Sequence, residues 1–226
     1  MEISYLGHSC FKIVINGKHL IFDPFISPNE LASEIPVQSL EADYVLLTHA
    51  HQDHMADAEE ICKNTGATLV SNFEIVSWFQ KKGVEKAHPM NHGGSKRFEF
   101  GTVKMVNAIH SSSFPDGSYG GNPAGFVVES DDKTFYYAGD TALTYDMKLI
   151  KEEFKVDFAF MPIGDNFTMN IRDAIKAADF AGTSKIIPMH YDTFPYIKID
   201  HDEVTQIARE KGIELLLMKI GEKINL

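Results

Sequence analysis

Tyr44-Val45-Leu46-Leu47-Thr48-His49-Ala50-His51-Gln52-Asp53-His54 opens as an apolar run and closes on three imidazoles and a carboxylate. The first four residues read as a buried strand, and the polar cluster is thrown out where the chain leaves the sheet and must turn. One histidine beside a strand is ordinarily a structural or an exposed residue. Three of them with an aspartate, all between His49 and His54, point to a metal, because imidazole nitrogen and carboxylate oxygen suit zinc, manganese and iron. His49 and His51 stand two apart, so in extended backbone they project to the same side. Asp53 and His54 come after the turn has begun and do not easily reach that point, which suggests a second metal close to the first.

The same placement recurs downstream. His110 closes the run Val103–Ile109, Asp140 follows Phe135-Tyr136-Tyr137-Ala138-Gly139, and His190 follows Ile186-Ile187-Pro188-Met189. Each alone has an ordinary explanation: a buried structural histidine or, for Asp140, a turn residue or helix cap. With the cluster they make a set of nitrogen and oxygen donors, each at the end of an apolar strand. His19, His88, His92 and His201 lack that context and read as surface or structural residues.

Working outward, Glu2–Leu6, Cys10–Ile15 and His19–Phe22 read as strands, broken at Gly7 and at Asn16-Gly17, a hairpin signal. Residues 24–42, with three prolines, read as an irregular excursion. Helices are expected at 56–64, 73–82, near 142–152, 170–181 and 201–211. Further strands are expected at 67–71, 97–100, 102–109, 125–130, 134–138, 156–161, 185–189 and 213–220. Residues 111–125, rich in Ser, Gly, Pro and Asn, must be a loop. Loop 111–124 and the excursion 24–40 are expected to shape access to the site. Phe114, Tyr119, Tyr191 and Phe194 are candidate aromatic walls. This mixture supports an α/β or α+β fold.

The chain has 226 residues, 44% of them apolar, with no linker or low-complexity tract, and is expected to form a single domain over residues 1–226. A formal charge of −11 and the lack of a basic stripe argue against a nucleic-acid partner. Cys10 and Cys62 are far apart and read as buried thiols in a reducing compartment. No signal peptide and no membrane-spanning run is apparent, so a cytoplasmic protein with a small-molecule substrate and no membrane partner is expected. Oligomerisation is left open.

The cluster and several other segments resemble the metallo-β-lactamase superfamily, whose signature is His-x-His-x-Asp-His after a strand. The resemblance extends through Leu6-Gly7-His8-Ser9-Cys10-Phe11, Asp23-Pro24-Phe25, Ala108-Ile109-His110-Ser111, Gly139-Asp140-Thr141, Pro162-Ile163-Gly164-Asp165-Asn166 and Pro188-Met189-His190-Tyr191. Together these look like the UPF0173 metal-dependent hydrolase branch, related to ascorbate-6-phosphate lactonases. The resemblance implies an αββα four-layer sandwich: two mixed sheets face to face with outer helices. It implies two divalent transition-metal ions, zinc first, with manganese and iron as alternatives. By resemblance, His49, His51 and His110 hold one ion, Asp53, His54 and His190 the other, and Asp140 bridges them. Such a pair would share a hydroxide that cleaves a small ester, lactone or phosphoester, with Asp53 as the catalytic residue that orients it. Kept as alternatives are an RNA nuclease or phosphodiesterase and an iron-dependent redox protein. His8 is placed near the site, where it contacts substrate, supports a ligand or simply holds its turn. Asp23 is expected to accept a hydrogen bond from a liganding imidazole. Asn166 is expected to face the site and bind an anion or carbonyl.

Overall fold

Asn16 and Gly17 both take positive φ, 51° and 73°, the backbone of a two-residue hairpin turn. They join β2 (Cys10–Ile15) to β3 (Lys18–Phe22), and β1 (Glu2–Gly7) pairs antiparallel on the other side of β2. Beyond β3 the sheet continues in parallel through β4 (Tyr44–Leu46), β5 (Thr68–Asn72) and β6 (Ala87–Met90). The computed structural model, which describes residues 1–226, repeats this plan in a second sheet. There β7 (Ser95–Phe98), β8 (Gly101–Asn107), β9 (Ala124–Glu129) and β10 (Thr134–Tyr137) run antiparallel. From β10 the pairing turns parallel through β11 (Phe158–Pro162), β12 (Lys185–Met189) and β13 (Glu214–Leu215). β14 (Lys223–Asn225) returns to the first sheet and pairs with β1, giving seven strands in each.

Strands that are apolar at nearly every position must be covered on both faces. Alternation along β3 to β5 sorts the side chains. Leu20, Phe22, Leu46 and Val70 pack in the cluster that holds Phe126, Phe135 and Tyr137 of the second sheet. Ile21, Val45 and Leu69 face the other way, onto Ala58, Ile61, Ile75 and Phe79 of the outer helices. Those helices are α2 (Ala58–Thr65) and α3 (Phe73–Lys81), preceded by the single turn α1 (Gln52–Met55). On the far side, α4 (Met147–Glu153), α5 (Ile171–Ala181) and α6 (His201–Glu210) cover the second sheet. The result is the four-layer αββα sandwich. Each fully buried Leu, Ile, Val or Phe contributes about 1.5–3 kcal/mol, so a one-residue slip that swapped the two faces of a strand would forfeit many such contributions.

Three expectations need correction. Residues 213–220 do not form one strand: β13 stops after two residues, and the chain crosses to the first sheet, turning at Gly221 (φ 85°). Helix 142–152 begins only at Met147, after a turn in which Met147 N donates to Thr144 O. β6 lies outside the expected strands, because a strand containing Pro89 between Gly83 and Gly93 has little sequence signal; it sits at the sheet edge, where a missing N–H is tolerated.

Candidate metal centre

Every donor named above sits just beyond a strand or on the single turn α1 that follows β4. His8 follows β1, Asp23 follows β3, and Thr48 and His49 lie just past β4. His51 is the N-cap of α1, which carries Asp53 and His54. His110, Asp140 and His190 follow β8, β10 and β12. Three of these turns are tight enough to force non-glycine residues into the left-handed region: His8 and His190 at φ 56° and Asp23 at 42°. Backbone bonds hold them there. His190 N donates to His8 O at 3.0 Å, and Asp23 N to Leu46 O at 3.0 Å.

The side chains converge on one carboxylate oxygen. Asp140 Oδ2 lies 2.9 Å from His190 Nε2, 3.3 Å from His54 Nε2, 3.5 Å from His110 Nε2 and 4.0 Å from His49 Nε2. On one side of it, His49 Nε2 and His51 Nδ1 are 3.0 Å apart, and His49, His51 and His110 form one group of mutually close donor atoms. On the other, Asp53 Oδ2 lies 3.1 Å from His8 Nε2, 3.7 Å from His190 Nε2 and 3.8 Å from His54 Nε2.

Asp23, fully buried, organises both sides from beneath. Its Oδ1 accepts from Thr48 N at 2.8 Å, and its Oδ2 from Thr48 Oγ1 at 2.7 Å and from His54 Nδ1 at 2.9 Å. Because the single Thr48 hydroxyl hydrogen goes to Asp23, that oxygen is left to accept from His49 Nδ1, 3.0 Å away. With Nδ1 of both His49 and His54 turned outward, Nε2 of each faces the centre. His8 makes a similar bridge: its Nδ1 is 2.9 Å from Thr193 Oγ1 and its Nε2 meets Asp53.

The electrostatics divide along the same line. Burial pushes His49, His51 and His110 below the ordinary histidine range, so they are neutral donors. Burial also acts against charge on His54 and His190, but nearby carboxylates overcome it. Asp140, Asp53 and Asp23 hold His54 well above its usual value, and Asp140 and Asp53 raise His190 to about 9. Burial alone would raise the carboxyls of Asp53 and Asp140. The surrounding imidazoles, led by His54 for Asp53 and by His190 for Asp140, hold them well below the carboxylate range instead. Burial dominates at His8, which falls to about 4.

The donor set fits divalent ions. His54 Nε2 and Asp140 Oδ1 are buried without a hydrogen-bond partner, an arrangement that costs free energy unless something else satisfies them. A cation between imidazole and carboxylate does so. The centre opens into a cavity of about 430 Å³ lined by His51, Asp53, His110, Asp140 and His190. Three loops frame it, through Ser111, Ser113, Phe114 and Pro115, through Phe167, and through Phe194.

Asn166 is not brought to the site. It stands exposed in a left-handed turn (φ 56°) outside the cavity, and the next residue, Phe167, lines it instead. The excursion 24–40 supplies no lining residue; its Phe25 packs behind, against His8 and Phe194. Of the candidate walls, Phe114 and Phe194 face the cavity. Tyr191 packs on Tyr5, and Tyr119 is a solvent-exposed partner of Asn122. Thr193 and Phe167 carry no sequence signal for their positions, since loop residues obey no periodicity. His19, His88, His92 and His201 lie outside the donor groups, and both cysteines are free and buried.

A strand-end histidine and aspartate cluster at the mouth of an αββα sandwich defines a class, and sequence comparison agrees. The Beta-lactamase superfamily domain matches residues 2–190, so the chain belongs to that superfamily. Within it, the chain belongs to the UPF0173 metal-dependent hydrolase family. It is 57% identical over 226 residues to a UPF0173 metal-dependent hydrolase of Flavobacterium johnsoniae, both chains being covered in full. It is 58% identical to the corresponding protein of Christiangramia forsetii, again over the full length of both. Among solved structures, Igni18, a metallo hydrolase from Ignicoccus hospitalis, superimposes with a TM-score of 0.89 at 33% identity, covering 99% of this chain and 97% of that one.

Proposed function

We propose that this chain, acting as one domain over residues 1–226, is a binuclear metal-dependent hydrolase of a small ester, lactone or phosphoester. The observation that carries it is Asp140 Oδ2, within 4.0 Å of four imidazole Nε2 atoms that belong to both donor groups. In this reading His49, His51 and His110 hold one ion, Asp53, His54 and His190 the other, and Asp140 is shared. The donors are all nitrogen and oxygen, and we take zinc as the first candidate, ahead of manganese and iron. When bound, a pair of divalent ions supplies an acidified water and an electrophile for the substrate oxygen.

The chain's own groups do the rest. Asp53 is partly exposed to the cavity, and its low pKa keeps it an acceptor that aims an attacking water. His8 Nε2 donates to Asp53 Oδ2 and fixes which carboxylate oxygen remains free. Ser111 Oγ, 3.3 Å from His51 Nε2, and Ser113 present hydroxyls at the cavity wall for a polar substrate group.

The test is metal content and hydrolysis measured on one sample. Stripping with a chelator should abolish turnover of a lactone and phosphodiester panel. Re-addition of zinc, manganese or iron should restore it as uptake approaches two ions per chain. Turnover that survives full stripping would refute the hydrolase mechanism, and uptake saturating at one ion would refute the binuclear centre.

A further inference from the structure

The cavity wall away from the donors has a chemistry of its own. None of the twelve lining side chains is a lysine or arginine. Besides the donors it presents Gln52, Ser111 and Ser113 as neutral hydrogen-bonding groups, and Phe114, Pro115, Phe167 and Phe194 as apolar surface. The aromatic groups are anchored from behind. Phe114 is buried and stacks on Trp78 at 4.1 Å with planes 10° apart, and Phe194 packs edge-on against His8 at 5.5 Å. Phe167 is different: it is 51% exposed, and its one aromatic neighbour is Tyr196, itself 74% exposed, with ring centroids 6.1 Å apart. An aromatic ring left this open at the rim of a cavity has apolar surface still to cover.

The charge balance decides what covers it. Any positive charge brought by metal ions acts at the reacting end alone. The remainder of the wall holds no cation to pair with a second anionic group, and the chain carries −11 overall. A remote phosphate or carboxylate on the substrate would lose its hydration there without compensation. An apolar arm would displace water from four apolar residues.

From this we infer the substrate class: an uncharged ester or lactone whose apolar aryl or alkyl arm lies against Phe114, Phe167 and Phe194. This rests on the hydrolase reading and narrows it. In the reaction, the oxygen of one water bonds to the acyl carbon and the bond from that carbon to the alkoxy oxygen breaks. One water proton ends on the alcohol, and the acid product ionises to carboxylate and releases the other.

Three 4-nitrophenyl esters isolate the arm, because they share a leaving group: the acetate, the 4-phenylbutyrate and the anionic hemiglutarate. With metal-reconstituted protein, kcat/KM for the phenylbutyrate should exceed that for the hemiglutarate by about ten- to a hundredfold, the range open to apolar pocket contacts. Phe167→Ala should collapse the phenylbutyrate-to-acetate ratio through KM, and Phe167→Leu should restore most of it. Binding of the neutral ketone 4-phenylbutan-2-one, followed by saturation-transfer NMR, gives a readout independent of turnover, and Phe167→Ala should weaken it. A hemiglutarate turned over as fast as the phenylbutyrate, or a ratio untouched in Phe167→Ala, overturns the apolar wall while leaving the hydrolase intact. If neither these esters nor the lactone and phosphodiester panel is cleaved, yet the ketone binds and Phe167→Ala weakens it, the wall stands and the hydrolase reading fails. Absence of ketone binding overturns the inference outright.

Discussion

The two sides of the donor cluster are built from nearly the same residues and poised in opposite ways. Around His49 and His110 there is little to balance charge except Asp140, around His51 only Asp53 and Asp140, and burial keeps all three imidazoles neutral. Around His54 and His190 three carboxylates, of Asp23, Asp53 and Asp140, outweigh burial and favour protonated rings. The lesson is one of sequence economy. Four residues, His49, His51, Asp53 and His54, start both sides, and the difference comes from what the rest of the fold delivers to each. A neutral trio is ready to ligate. A charge-balanced group must give up protons first, so its metal uptake should be the more sensitive to pH.

The hardest blow to this contrast is Asp140→Ala, which removes the oxygen common to both sides. Uptake should fall to one ion or fewer per chain, with turnover lost beyond the roughly hundredfold effect of removing a positioned acid–base group. Retention of two ions by that variant, measured by elemental analysis, would break the shared-ligand assignment.

Asp53→Asn should sharpen it. The His49 side should keep its ion while the His54 side weakens, and turnover should drop by roughly a hundredfold or more. Full activity in this variant would move the orienting role to another residue, with His8 the first to examine.

Asp23→Ala should blur the contrast, since Asp23 orients His54 directly and His49 through Thr48. Both affinities should fall together by about ten- to a hundredfold, the usual cost of losing a hydrogen-bonded support behind a ligand. Competition against a chelating dye would show it. Loss confined to the His54 side would mean that Thr48 does not transmit the effect.

The smallest effect concerns pH. In metal-free protein the folded pKa of His190, about 9, stands above its ordinary 6.5, and His54 is raised as well. Raised histidines add stability that is complete below about 6.5 and is lost as pH climbs through about 9. Asp53 and Asp140 stay ionised across that window and contribute no slope. The metal-free Tm should therefore decline from pH 6.5 to 9.5, and metal-loaded protein should lack this decline. A flat metal-free profile would contradict the charge assignment on the His54 side.

How much of this could be read beforehand follows from where each residue sits. Strand-end donors announce themselves, because an apolar run stopping at His or Asp is a pattern along the chain. The Asn16-Gly17 hairpin is equally local and equally visible. Resemblance rather than periodicity supplied the sandwich, since no local rule says that the β14 strand must cross back to β1. Asn166 and Phe167 show the limit. They are neighbours in one turn, where Asp165 and Asn166 both take positive φ, and only Phe167 meets the cavity. No composition or spacing rule reports the backbone angles of such a turn.

The bond from His190 N to His8 O, with Thr193 closing on the His8 ring, joins positions as far as 185 residues apart. Such long-range closure slows folding, because the chain must give up entropy before these contacts form. During synthesis the His49 trio's first two members emerge well before Asp140, and His190 arrives later still. A nascent chain thus displays an incomplete, chelating cluster for most of its translation. A scarce ion bound there early would meet only the donors of the His49 to His54 segment, and the choice of metal would be settled only when the last strand docks. Metal selection in this protein would then be a property of the finished fold rather than of its signature sequence.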